Sequence, residues 1–212
     1  MVEGLQFKVC GITQLEQAIA LEQMGVQYIG FIFYAPSKRH VLYKMQKDTI
    51  LNFKPKHAKK VGVFVNEPLE SLLAIANSTG LDMIQLHGDE TPDYCEALSA
   101  HYSVIKVFRV SDKVPNFTDY LTCADYFLLD TDSALYGGTG NHFNWDLIKN
   151  IVIPKPFFMS GGIGINDVGG IEVLASTKAG KNMLALDVNS QFEESPGIKN
   201  LEKIKTFIHA LV

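Results

Sequence analysis

Lys8-Val9-Cys10-Gly11-Ile12-Thr13 closes the first of eight short apolar runs in this 212-residue chain and leads directly into a segment of helical period. The runs are rich in β-branched and aromatic residues: Leu5 to Cys10, Tyr28 to Phe33, Val61 to Val65, Met83 to Leu86, Val104 to Phe108, Tyr126 to Leu129, Phe157 to Met159 and Met183 to Leu186. Amphipathic stretches such as Leu15 to Met24, Leu69 to Ala76 and Val168 to Ala175 separate them, as crossovers between parallel strands require. Alternation of this kind means α/β. A doubly wound open sheet satisfies it too, but eight regular strand-then-helix units favour closure into a (β/α)8 barrel, whose chemistry sits at the C-terminal strand ends. Cys10 stands at such an end.

Local signals agree. Thr13-Gln14-Leu15-Glu16 has capping-box spacing, Glu67-Pro68 and Thr91-Pro92 place proline at a first helical position, and Asn166-Asp167 offers cap oxygens. Gly25, Gly80 and Gly180 each precede a strand and read as helix stops. No low-complexity segment, charge block or linker interrupts the rhythm, so residues 1–212 are expected to form one domain. The longest connection, Thr131 to His142 with Gly137-Gly138-Thr139-Gly140, is placed to act as a lid.

Composition excludes several classes. A net charge of -4 and a pI near 5.8, with no basic run longer than His57-Ala58-Lys59-Lys60, argue against a nucleic-acid partner. Met1 to Gln6 shows no basic segment followed by an apolar stretch, and no apolar run approaches the ~18 residues of a membrane span, so a soluble, cytoplasmic protein is expected. Cys10, Cys95 and Cys123 are odd in number and far apart, which suits a reducing compartment and suggests neither a disulfide framework nor a zinc site.

Five strand ends carry chemistry. Cys10 precedes a helix start, where a dipole can favour the thiolate, although an isolated cysteine is more often a small buried hydrophobe. Asp130 follows Phe127-Leu128-Leu129 and reads equally as a proton donor in a partly dry pocket or as a helix cap. In Tyr34-Ala35-Pro36-Ser37-Lys38-Arg39-His40, Arg39 could fork a carboxylate; taken without context it is more often a solvated charge. Ser160-Gly161-Gly162-Ile163-Gly164 and Asp187-Val188-Asn189-Ser190 follow the seventh and eighth strands, the recurrent phosphate position of these barrels. His87 has no second His or Cys at ligand spacing and reads as a turn or supporting residue rather than a metal ligand.

The ordered segments KVCGIT, IGFIFYAPSKRHV, VGVFVNEP, GLDMIQLHGDE, LLDT, GGTGNHFNW, FMSGGI and LDVNSQFEESPGIKN resemble the phosphoribosylanthranilate isomerase family from the first strand to the last helix. The resemblance implies a cofactor-free (β/α)8 barrel acting on a phosphorylated small molecule by Amadori rearrangement. It implies Cys10 as general base, Asp130 as general acid, Arg39 on the anthranilate carboxylate, and Gly161, Gly162, Asn189 and Ser190 at the phosphate. The chain departs from the family at Gln191, usually glycine, which touches the phosphate loop, and at Asn144, usually aspartate, where either residue can cap a helix.

The implied chemistry suits these residue types. A carboxylic acid protonates the furanose oxygen as the ring opens, and a base removes the proton from the second sugar carbon. The substrate's own nitrogen is the electron sink, so neither metal nor pyridoxal phosphate is expected. A metal-dependent epimerase or an indole-glycerol-phosphate synthase relative would need strand-end histidines or a catalytic lysine. A non-catalytic phosphometabolite-binding barrel is the alternative outside enzymes. The sequence does not specify an oligomeric state.

Overall fold

A computed structural model describes residues 1–131 and 144–212. Its eight parallel strands close into a barrel in sequence order: β1 (Gln6–Val9), β2 (Tyr28–Ile32), β3 (Lys59–Phe64), β4 (Met83–Leu86), β5 (Ser103–Val110), β6 (Tyr126–Thr131), β7 (Phe157–Met159) and β8 (Met183–Val188). Closure is made by β8 against β1, with Lys8 opposite Asp187 and Val9 opposite Val188. Around the barrel lie α1 (Leu15–Gln23), α2 (Lys47–Asn52), α3 (Leu69–Thr79), α4 (Pro92–Ser99), α5 (Val168–Ala175) and α6 (Leu201–Leu211).

The expectation of eight helices is corrected. Among the described residues the connections after β5 and β6 carry only 3-10 turns, Thr118–Tyr120 and Trp145–Leu147. After β5, Pro115 lacks an N–H and the Asn116 side chain accepts from Thr118 N, so the backbone is drawn away from a regular helix. After β6, Asn144 Oδ1 accepts from Asp146 N, the cap function expected of it, though on a 3-10 turn. The lid expected at 131–142 lies outside the described residues except for Thr131 at the end of β6. Beyond β8 a two-stranded antiparallel ribbon, β9 (Glu193–Ser195) and β10 (Ile198–Lys199), was not foreseen.

Capping is also partly different. Thr91 accepts from Tyr94 N with Pro92 at the first turn, as read, and Gly80 ends α3 in the left-handed region. Thr13 does not cap α1; its hydroxyl donates to Gly197 O and so ties α1's entrance to the β9–β10 ribbon. Pro68 is the residue before α3 rather than its first. Asp167 accepts from Gly164 N, fixing the turn that precedes α5. Gly25 ends α1 at φ 84°, but α5 ends at Ser176, and Gly180 lies in a later 3-10 turn against the carbonyls of Leu174 and Ala175.

The period of two along each strand sorts side chains between two cores. Phe7, Val9, Ile29, Phe31, Ile84, Leu86, Phe127, Leu129, Phe157 and Met159 pack outward beneath the helices. Tyr28, Val61, Met83, Ile105, Leu128, Phe158 and Ala185 fill the barrel interior. Continuing the inward parity toward the C-terminal ends reaches Lys8 and Cys10 on β1, Gln85 and His87 at β4, Asp130 on β6, Ser160 after β7 and Asp187 on β8. Apolar packing therefore fills the base of the barrel and polar groups crown it. Among the described residues no helix is long and apolar enough to cross a membrane.

Candidate active site

The inward parity delivers Cys10 to a cavity of about 730 Å³ at the barrel mouth. Gly30 on the neighbouring strand makes room for it, since a β-carbon there would lie 2.9 Å from Cys10 Sγ. Two residues back on the same face is Lys8, fully buried, with Nζ 2.9 Å from Asp187 Oδ1. The ammonium also acts electrostatically on the Cys10 thiol.

Burial pushes the Cys10 thiol up, and the opposing pull of Lys8 does not cancel it. The expectation that a helix dipole lowers this thiol is corrected. Only 4% of Cys10 is exposed, so desolvation of the anion dominates. Burial likewise pushes the Asp187 carboxyl up against the pull of Lys8. For Lys8, burial acts downward but Asp187 and Cys10 outweigh it, and its value rises. All three groups are therefore shifted toward holding protons.

Asp130, on β6, is buried, and Oδ1 accepts from Thr131 N at 2.9 Å. His87 Nε2 is 3.2 Å from Asp130 Oδ2, without the alignment of a hydrogen bond. Gln85 Nε2 holds the other ring nitrogen of His87 at 2.9 Å. His87 itself lines the cavity, held by Gln85 beside Asp130. Its loop is clamped from behind: Glu90 accepts from Asn66 N and Gly88 N, and Lys106 joins Glu90 at 2.8 Å.

Arg39 is neither solvated nor open as a free fork. Its Nε and Nη2 bind Glu193, at 2.9 Å to Oε1 and 2.6 Å to Oε2, and its side chain is only 17% exposed. Lys199, wholly buried, bonds Glu193 Oε1 and Asn189 Oδ1, each at 2.7 Å. Burial acts to raise the Glu193 carboxyl, but the hydrogen bonds from Arg39 and Lys199 prevail and hold it below the usual carboxylate range. The Arg39 fork leaves guanidinium N–H groups beyond those spent on Glu193, and the residue lines the cavity.

On the opposite wall Gly161 and Gly162 adopt φ of 92° and 73°, and a β-carbon on Gly161 would come 2.3 Å from Thr131 Oγ1. Only glycine fits both the left-handed backbone and that approach. Asn189 and Ser190 follow β8, with a 3-10 turn over Ser190–Phe192. Gln191 is exposed at the cavity's rim, and its carbonyl accepts from Lys203 Nζ. It does not take a positive φ, so the turn is made without the freedom of glycine.

The cavity thus brings together all of Cys10, Asp130, Arg39, Gly161, Gly162, Asn189 and Ser190. Sequence reading missed Lys8, Glu193 and Lys199. Lys8 had a signal, a lysine two residues before Cys10 on an apolar strand, matched by the lone acid of Leu-Ala-Leu-Asp-Val in β8. Glu193 and Lys199 had none, because the ribbon that turns them inward was not legible. Among the described residues no group of three or more His, Cys, Asp or Glu is arranged to hold a metal ion.

A closed eight-stranded barrel with thiol, carboxylates and a glycine loop around one mouth is a (β/α)8 barrel with a small-molecule site at its C-terminal face. Residues 7–210 match the family described as N-(5'phosphoribosyl)anthranilate (PRA) isomerase, and the chain belongs to that family. It is 37% identical over 207 residues to the N-(5'-phosphoribosyl)anthranilate isomerase of Phocaeicola vulgatus, covering 96% of each chain. It is 37% identical over 214 residues to that of Thermotoga neapolitana, covering 96% of this chain and 97% of the other. The crystal structure of phosphoribosyl anthranilate isomerase from Thermus thermophilus superposes with a TM-score of 0.82 at 29% identity, covering 98% of both chains. A phosphoribosyl anthranilate isomerase in complex with reduced 1-(o-carboxyphenylamino)-1-deoxyribulose 5-phosphate does so with a TM-score of 0.75 at 31% identity, again covering 98% of both.

Proposed function

We propose that this chain is an isomerase of tryptophan biosynthesis, converting N-(5-phosphoribosyl)anthranilate to 1-(2-carboxyphenylamino)-1-deoxyribulose 5-phosphate by acid-base catalysis within one barrel domain spanning residues 1–212. The observation that carries this reading is a single cavity faced by Cys10 from β1 and Asp130 from β6, with β7 and β8 between them. Acid and base so separated can act on different atoms of one sugar.

Asp130 delivers a proton to the furanose oxygen as its bond to the anomeric carbon breaks, which opens the ring and leaves an iminium on the anthranilate nitrogen. The iminium draws electrons from the second carbon, Cys10 as thiolate removes the proton there, and the enolamine formed tautomerises to the ketone. Phosphate lies against the backbone N–H groups of Gly161, Gly162, Asn189 and Ser190, and the positive φ of both glycines suits a backbone that approaches an anion closely. Arg39 receives the anthranilate carboxylate on the N–H groups that Glu193 does not occupy. Binding both ends fixes the sugar between acid and base, so remote contacts contribute to orientation. A cytoplasmic setting is part of this proposal, and three free, buried thiols support it.

The test is the fluorescence decay of freshly made phosphoribosylanthranilate on addition of purified protein. Catalysed decay to the ketose supports the reading. Binding of a reduced product analogue with no turnover would instead favour a non-catalytic phosphometabolite-binding barrel.

A further inference from the structure

We propose that Cys10 and Asp187 share a single counter-ion, the buried ammonium of Lys8, so that this trio holds one anion at a time: Asp187 at rest and Cys10 during turnover. The proposal rests on the reading of Cys10 as the base and supplies what that reading lacks, a way to make a thiolate inside a dry barrel.

The geometry is on the closing seam of β1 and β8 and on β2 beside it. Lys8 is wholly buried and bonded to Asp187 at 2.9 Å, Asp187 is 6% exposed, and Cys10 is 4% exposed with its sulfur in the space left by Gly30. Lys8 is bonded to Asp187, and Cys10 lies two residues on along the same inward face of the strand, close enough for the ammonium to act on its thiol. One buried cation offsets one buried anion; a second anion beside it would carry its desolvation penalty with no further partner. Other charged groups facing the trio are already committed. Lys199, which also acts on Cys10, is bonded to Glu193 and Asn189; Arg39 is forked on Glu193; His87 and Asp130, which act on Asp187, face each other.

The exchange conserves charge. Lys8 gives a proton to Asp187 Oδ1 and takes one from Cys10; the S–H bond breaks with its electron pair left on sulfur, and an O–H bond forms on Asp187. The trio carries zero net charge before and after. The thiolate then takes the proton from the second sugar carbon and becomes a thiol again. On product release the surplus proton on Asp187 leaves through the open mouth as Asp130 takes one up, which closes the cycle. Lys8 and Asp187 are positioning residues in this scheme, since both act through Cys10.

The experiment follows iodoacetamide alkylation of Cys10 against pH, resolved from Cys95 and Cys123 by peptide mass, in the wild type, Asp187→Asn, Lys8→Met and the double variant. Only the thiolate reacts, and the half-point of the profile is independent of access. Asp187→Asn frees the ammonium for Cys10 and is expected to lower the half-point by at least about one pH unit, roughly tenfold faster alkylation near neutrality. Lys8→Met is expected to raise it by a similar amount, and the double variant to lie near the wild type. Opposite signs cannot come from a merely structural role. An unchanged or raised half-point in Asp187→Asn overturns the proposal. If Lys8→Met does not fold because Asp187 is left unpaired, the double variant decides in its place: a half-point as low as that of Asp187→Asn would show that Lys8 is not the counter-ion. Turnover of Cys10→Ala is the separate test of the base itself, so failure of one reading is distinguishable from failure of the other.

Discussion

Replacing Arg39 by alanine separates two functions that the structure places on one side chain. Its Nε and Nη2 hold Glu193, a carboxylate with only 5% of its side chain exposed, and the rest of the guanidinium faces the cavity. Loss of the fork leaves Glu193 with Lys199 and the Gly197 N–H. Hydrogen bonds to charged groups contribute about 1.5–3 kcal/mol each, and with Lys199 still in place the loss of the fork's two bonds is expected near the lower end, about 3 kcal/mol. Loss of the substrate carboxylate's partner in a closed pocket costs a further ~2–4 kcal/mol of binding. The KM is then expected to rise about 30- to 1,000-fold. Urea unfolding and steady-state kinetics measure the two effects. Arg39→Lys keeps a cation beside Glu193 without the planar fork that can serve two carboxylates, so its urea midpoint should largely recover while its KM stays high. A KM that recovers along with stability would refute the direct contact and make Arg39 a scaffold for Glu193 alone.

Cys10→Ala and Asp130→Asn are each expected to lower kcat at least ~100-fold with little change in affinity for the reduced product, since general acid-base catalysis contributes about 10²–10⁴; near-normal kcat in either removes that residue from the mechanism. Gly161→Ala combines strain at φ 92° with a β-carbon 2.3 Å from Thr131 Oγ1, and a loss of about 2–4 kcal/mol in denaturant unfolding together with weaker phosphate binding is expected. Gln191→Gly should change KM by less than about threefold, because the residue sits at the rim without a positive φ; a larger change would mean that this turn shapes the phosphate site. Glu193 is held below its unfolded value by Arg39 and Lys199, so its contribution to stability is present above about pH 4.3 and is lost as pH falls through the lower folded value. Unfolding midpoints measured down the acid range should show this loss in the wild type and a flatter profile in Glu193→Gln.

The strands were legible because their signal is local. Apolar β-branched runs with polar ends read out one by one, and Asp130 and Cys10 could be placed at strand ends from the runs before them. Their convergence followed from the barrel itself, which brings all C-terminal strand ends to one mouth. Helices were legible where the apolar period was clear, as over α1, and caps where proline marked them, as at Thr91-Pro92; a cap reading failed where the side chain had a tertiary partner, as Thr13 has in Gly197.

What the sequence by itself determined is the alternation of elements, the parity that sends Cys10, Asp130 and Asp187 inward, and the glycines whose backbone the loop after β7 requires. What only the tertiary structure decided is the ionic state of the mouth. Lys8 and Asp187 are 179 residues apart, and Arg39 and Glu193 154. A lone lysine and a lone acid on apolar strands hint at the first pair, but nothing near Arg39 or Glu193 in the chain announces the second. Barrel closure brings the first pair into register, and the β9–β10 ribbon turns Glu193 and Lys199 onto Arg39. Desolvation is a property of the assembled mouth, so the thiol that a helix dipole alone would favour as an anion is held by burial as a thiol.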